Sequence, residues 1–249
     1  MSRLIEGGKP EQLIARHVRR WELQQRQSRQ TPTPPTLVNR AVIALSRQPG
    51  SGGAAVAREV ADRLGWHVFD RELVEYIAAQ AHARERVIAS IDERVRSLME
   101  EWVRSVLDRN YLSPHTYLRH LMSVVLTIAH HGQAVLVGRG CHLIVNPLTT
   151  LRVRVIAPLE RRLATVARLQ GLDPKAARRQ VHHDDAERAA FIRAHFHRDI
   201  DDPADYDMVL NLAALDIKSG AAVVIGALRG KFGDPGVLLN PPSVIQPSR

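Results

Sequence analysis

Apolar and polar positions along this chain alternate with two different periods. Residues 10–30, PEQLIARHVRRWELQQRQSRQ, place Leu13, Ile14, Val18, Trp21 and Leu23 on an irregular stripe, which predicts an amphipathic helix. TPTPPT, residues 31–36, interrupts it with three prolines and reads as a stiff linker. Five short apolar runs follow: AVIALS (41–46), GWHVFD (65–70), AVLVG (134–138), LRVRVIA (151–157) and DMVLNL (207–212). Each has the length and bounding turns of a buried strand. The stretches between them are helical in period. Residues 54–64 put Val56, Val60, Ala61 and Leu64 on one face. Residues 71–131 are almost wholly helical, with a break at Tyr111–Pro114, and residues 160–169 form another helix. The turn GLDP (171–174) leads into an arginine-rich helix ending near His197, and Asp216 to Phe232 closes the pattern.

Strands alternating with helices predict an α/β fold, a parallel five-stranded sheet with helices on both faces. The expected organisation is an N-terminal helix and linker (1–36), a main domain (37–232) and an extended or disordered tail (233–249). The block 71–131 exceeds one crossover helix and is expected as a helical insert. The N-terminal helix could dock on the domain, pair with its copy in a homodimer, or bind a protein partner or acidic surface.

Composition narrows the function. No run approaches the length of a membrane span, the N-terminus lacks an apolar signal core, and a single cysteine, Cys141, excludes an intramolecular disulfide. A cytoplasmic protein without a membrane is the expectation. The net charge of +9 is carried almost entirely by arginine, which suits a phosphate-rich partner because the guanidinium fork grips phosphate oxygens. Aromatic residues are 4% of the chain and are not interleaved with the basic runs, which speaks against nucleic acid. The pairs His130–His131 and His182–His183 place neighbours far apart around a helix, so no metal site is expected from them.

The most informative stretch is SRQPGSGGAAVAREVADRLG (46–65). A strand, a glycine turn and a helix start form an anion site, because backbone N–H groups and the helix dipole converge on the ligand. In the pattern G-x-x-x-x-G-K-[ST], Gly52 is the last glycine, so Arg47 stands at the first glycine, Gly53 at the lysine and Ala54 at the hydroxyl. Gly50, Ser51, Gly52 and Gly53 keep the cradle. No lysine lies between Lys9 and Lys175, so Arg47 is the candidate replacement cation, with Ser46 or Ser51 as a hydroxyl source. Asp70 and Arg71 end the second strand, and Arg139 follows the third between Gly138 and Gly140; that edge is where open α/β sheets bind ligands.

These stretches, with RVRVIAPLERRLATVARLQGL, DDAERAAFIRAHF and YDMVLNL in order, resemble the cytidylate kinase-like family of P-loop proteins over about residues 40–232. The resemblance implies a P-loop nucleoside-monophosphate-kinase type of fold, with ATP and Mg²⁺ and a nucleotide substrate. It assigns residues 50–53 to the nucleotide phosphates and Asp70, Arg71 and Arg139 to the acceptor. It places Asp185 and Arg188 in a mobile lid (171–200), and Arg161 and Arg162 in the helix before it. Departures are Gly53 for the lysine, Ala54 for its neighbour, Gly140 for the acid of a G-R-D motif and His182 for a lid acid. Two readings stay open: an ATP-dependent nucleotide kinase using Arg47, Arg139 and Arg188 as charge clamps, and a catalytically impaired nucleotide-binding or regulatory module acting through the N-terminal helix.

Overall fold

A computed structural model of the protein describes residues 10–30, 41–109 and 116–233. The expected linker at 31–36, the break at Tyr111–Pro114 and nearly all of the tail lie outside these residues. The helices are α1 (Pro10–Gln30), α2 (Gly53–Leu64), α3 (Arg71–Ala79), α4 (Ala81–Ile88), α5 (Glu93–Arg109), α6 (Thr116–His131), the single turn α7 (Cys141–Ile144), α8 (Leu159–Gln170), α9 (Pro174–Phe196) and α10 (Ile217–Phe232). The strands are β1 (Val42–Arg47), β2 (His67–Phe69), β3 (Ala134–Val137), β4 (Thr150–Ile156) and β5 (Met208–Asn211). All pair in parallel in the order β2-β3-β1-β4-β5. The chain leaves β1 toward one edge and later returns to build the other, so a crevice opens above the carboxyl ends of β1 and β3.

Both faces of the sheet are buried, which is why the strands read as near-continuous apolar runs. Ile43 and Leu45 point into a core with α2 and α10, containing Val56, Val60, Val224 and Leu228. Val42 and Ala44 point the other way, into a core with α3, α6 and α7, containing Leu73, Ile77, Leu121, Val125 and Ile144.

The N-terminal helix is part of that second core. Ile14, Val18 and Trp21, spaced i, i+4, i+7 on α1, are 2%, 7% and 5% exposed. Trp21 stacks on His131 with ring centroids 4.1 Å apart, and His17 lies 4.7 Å from the Phe69 ring. Tyr76 on α3 donates to Glu11, and Arg20 contacts the His67 ring. At roughly 1.5–3 kcal/mol for each large apolar side chain, burial of these three holds α1 in place. Of the uses the sequence left open, α1 spends its apolar face on its own domain. Among the described residues no helix is long and apolar enough to cross a membrane.

Candidate functional site

The glycine-rich loop links β1 to α2. Gly50 and Gly52 have φ of +74° and +89°, conformations that side chains resist, and Gly52 caps α2. A Cβ on Gly50 would strike the carbonyl oxygen of Arg162, so loop and α8 approach backbone to backbone. Ser51 is 2% exposed; its hydroxyl donates to the Gln48 carbonyl (2.9 Å) and accepts from the Gly53 amide (3.3 Å). Ser51 therefore braces the loop from inside, and the expected free hydroxyl is not offered by it. Ser46 Oγ, at the end of β1, accepts from Arg154 Nη1 at 2.8 Å.

Gly53 stands where a lysine would complete the loop. A Cβ built there lies 2.6 Å from Arg47 Cβ and 3.1 Å from Val155 Cβ. The side chain of Arg47 occupies the volume that a residue at 53 would need. Arginine at the first position and glycine at the seventh are one geometric exchange.

The Arg47 side chain runs across the crevice until its guanidinium lies beneath Gly138, whose absent Cβ leaves it room. It makes no hydrogen bond or ion pair with any other described residue. Burial pushes its pKa down to about 9; Arg188 and then Arg71 add repulsion, and Asp70 opposes them. Arg188, on α9, donates to the Arg47 carbonyl at 2.6 Å, and burial is likewise the largest cause of its lowered pKa. Asp70 is the N-cap of α3, accepting from the Leu73 amide at 2.9 Å, and burial raises its pKa. The sequence read Asp70 as a strand end; the strand stops one residue earlier and the carboxylate serves the helix. Within this cluster Arg71 and Arg188 have carboxylates close by, while the Arg47 guanidinium forms no ion pair among the described residues.

Arg139 is held differently. Gly138, Arg139 and Gly140 all have positive φ, +88°, +50° and +69°, and the arginine is a sterically disfavoured residue for that region. It pairs with Glu75 and lies 4.7 Å over the Phe191 ring, while its buried Nε has no partner. Glu75, which the sequence did not single out, also pairs with Arg71 at 3.4 Å, and Arg71 reaches Glu187 at 3.2 Å. A Cβ on Gly140 would lie 2.5 Å from the Phe196 ring. The acid of a G-R-D motif has no room there, because α9 fills the space.

Arg162 Nη1 donates to both oxygens of Asp185, at 3.0 and 2.8 Å, tying α8 to α9. Arg161, on the same helix, turns to a different partner. Its guanidinium donates to the carbonyls of Leu212, Ala213 and Leu215, so it clamps the loop after β5 and faces away from the crevice. Sequence reading missed Arg154, 4% exposed on β4, which joins Ser46 to Asp201 at 2.6 Å. Its signal was present: in LRVRVIA both arginines fall on one face of a buried strand. His142, stacked on Tyr206 at 4.6 Å, was also missed.

Arg47 is shared by three openings. Two lie beside α9, and one of these, of about 270 Å³, is lined by Gln48, Arg154, Asp185 and Arg188. The third, of about 410 Å³, lies between α1, α2 and the start of α3, with Ala54 and Asp70 in its wall.

With this geometry in hand, known proteins offer comparisons. The profile of the Cytidylate kinase-like family matches residues 42–214. A cytidylate kinase from Pyrobaculum calidifontis is 28% identical over 178 residues, 71% of this chain and 86% of that protein. The crystal structure of an uncharacterized protein from Eubacterium ventriosum superposes with a TM-score of 0.64 at 17% identity, covering 77% of this chain and 99% of that one, a likeness of fold.

Proposed function

We propose that this chain, which belongs to the cytidylate kinase-like family, works as a nucleotide-kinase-type phosphotransferase whose arginines carry the charge that a loop lysine carries elsewhere. ATP is the donor and a nucleoside monophosphate the acceptor. One observation carries the reading: Arg47, an enclosed guanidinium without an ion-pair partner among the described residues, is common to the openings on either side of the crevice. An enclosed cation crowded by Arg71 and Arg188 is costly by itself and fits a polyanion.

In the transfer, an oxygen of the acceptor phosphate bonds to the γ-phosphorus as the bond to the β,γ-bridging oxygen breaks and ADP leaves with the electron pair. Arg47 and Arg188 would neutralise the charge gathered on the moving group, and the loop at residues 50–53 would wrap the donor phosphates with those of its amides that are not, like those of Ser51 and Gly53, bonded within the loop. α9, fastened by Arg162–Asp185 and by Arg188 to the Arg47 carbonyl, acts as the lid that excludes water. Asp70 and the crevice arginines fit such a nucleotide: Mg²⁺ takes one or two carboxylates together with phosphate oxygens, and Asp70 is the carboxylate beside Arg47. Held there by Asp70, Mg²⁺ would supply Lewis-acid stabilisation of the phosphate charge.

A nucleotide-binding regulatory module is the second reading, favoured by the inward-facing Ser51 hydroxyl and by Asp185 being engaged with Arg162. Calorimetric titration with ATP and Mg²⁺, repeated on Arg47→Ala, tests the nucleotide site that both readings require. Micromolar binding that weakens more than tenfold in the variant is expected. Absence of binding at millimolar ATP would remove both readings.

A further inference from the structure

The 410 Å³ opening is walled on its outer side by α1, which lies outside the residues the family profile matches. Its volume falls in the range of small-molecule sites, roughly 300–1,000 Å³. Its lining includes Arg47, exposed Arg16 of α1 and Arg58 of α2, and His17 and His67. Among the described residues, Arg16, Arg47 and Arg58 form no ion pair and no side-chain hydrogen bond. His17 is 7% exposed, and its Nδ1 is enclosed with no partner. Burial, with His67 and Arg16 close by, pushes its pKa down to about 3, so the ring is neutral. Three guanidiniums unpaired among the described residues and a neutral imidazole thus share one cavity with two carboxylates, Glu72 and Asp70, the latter already capping α3.

The position expected for an acceptor from the family resemblance is occupied. Arg139 is engaged by Glu75 and Phe191, and the opening it borders is narrow. The space free for a second substrate lies on the α1 side, where Asp70 and Arg47 are both within reach.

We propose that α1 forms the outer wall of the acceptor pocket: a phosphomonoester binds with its phosphate on Arg47 and its distal, oxygen-bearing end on Arg16 and Arg58. This rests on the phosphotransfer reading above, and it gives α1 a role in choosing the acceptor besides its packing. The distal arginines favour an acceptor whose far edge carries carbonyl oxygens or a second negative charge.

The test uses the full chain and two calorimetric titrations, one with CMP and one with ATP and Mg²⁺, on wild type and on the double variant R16A/R58A. Both arginines are exposed and unpaired among the described residues, so the variant keeps its melting temperature, which thermal denaturation checks. The expected result is CMP binding that weakens more than tenfold in the variant while ATP affinity stays within twofold. Unchanged CMP binding in R16A/R58A overturns the proposal, as does absence of CMP binding to wild type at 5 mM. If ATP fails to bind but CMP binding still falls in the variant, the donor reading is lost and the α1 pocket stands.

Discussion

Replacing Gly53 by lysine restores the usual cation of a phosphate-binding loop and, by the geometry here, damages the protein. The new Cβ would lie 2.6 Å from Arg47 Cβ and 3.1 Å from Val155 Cβ. Carbon pairs rest at roughly 3.5–4.0 Å, so the first contact is about an ångström too short. Neither partner is the loose end of a side chain: Arg47 Cβ and Val155 Cβ belong to neighbouring strands held in register. Overpacking of this kind costs about 1–3 kcal/mol. Lysine gains up to ~1 kcal/mol over glycine in helix propensity, so the net loss is about 0–2 kcal/mol. That corresponds to a fall of up to about 8 °C in Tm for a domain of this size. Arg47→Gly removes the obstructing Cβ, so the two changes together should be better tolerated than their sum. Denaturation of wild type, G53K, R47G and the double variant forms a cycle, with an expected favourable coupling of about 1–3 kcal/mol. Additive effects within about 0.5 kcal/mol would refute the exchange of positions 47 and 53.

Other consequences concern charge and space. Because burial lowers the Arg47 pKa to about 9, its cation costs stability in full at every pH below that value, and the cost is relieved progressively as pH rises from about 9 toward the ordinary arginine value of the unfolded chain. Arg47→Met keeps the stem and removes the cation; Tm in the absence of ligand should rise by a few degrees, and the stabilisation by ATP should vanish. A lower Tm with an intact ATP shift would contradict this. His17, His131 and His142 each have a pKa lowered to about 3, chiefly by burial. The unfolded chain protonates them near 6.5 and the folded chain does not, so stability is full above that pH and falls below it. At pH 5.5 the three together remove about 4 kcal/mol relative to pH 7.5, measurable by urea unfolding at the two pH values. Gly140→Ala places a Cβ at φ +69° against the Phe196 ring, so a loss of about 2–4 kcal/mol is expected in the same assay.

The parts of the site that were legible in the sequence are those where a local pattern has one physical solution. Five apolar runs and their intervening helices gave the sheet, and a glycine turn between a strand and a helix gave the loop joining β1 to α2. The absence of lysine at Gly53 was visible, but its reason was not, since the Arg47 side chain fills that space only once β1 and α2 are folded together. Gly140 is similar: the ring that excludes a carboxylate belongs to Phe196, on α9. Glu75 and Arg154 were overlooked because their partners, Arg139 and Asp201, lie 64 and 47 residues away in sequence. The direction of Arg161 was not legible, because a basic residue beside Arg162 looks the same whether it turns to the crevice or to the carbonyls after β5. α1 read as an amphipathic helix; that its polar edge helps to enclose a cavity depends on how it docks.

The decisive measurement is the transfer of label from γ-³²P-ATP to a mixed pool of nucleoside and deoxynucleoside monophosphates, with Mg²⁺, by wild type, Arg47→Lys and Arg47→Ala. If Arg47 carries the charge of the missing lysine, wild type forms labelled diphosphate and Arg47→Lys retains part of the rate. Arg47→Ala should then lose on the order of 10²–10³-fold, the usual cost of removing a group that stabilises transition-state charge. No labelled product from wild type, or an undiminished rate in Arg47→Ala, would contradict it.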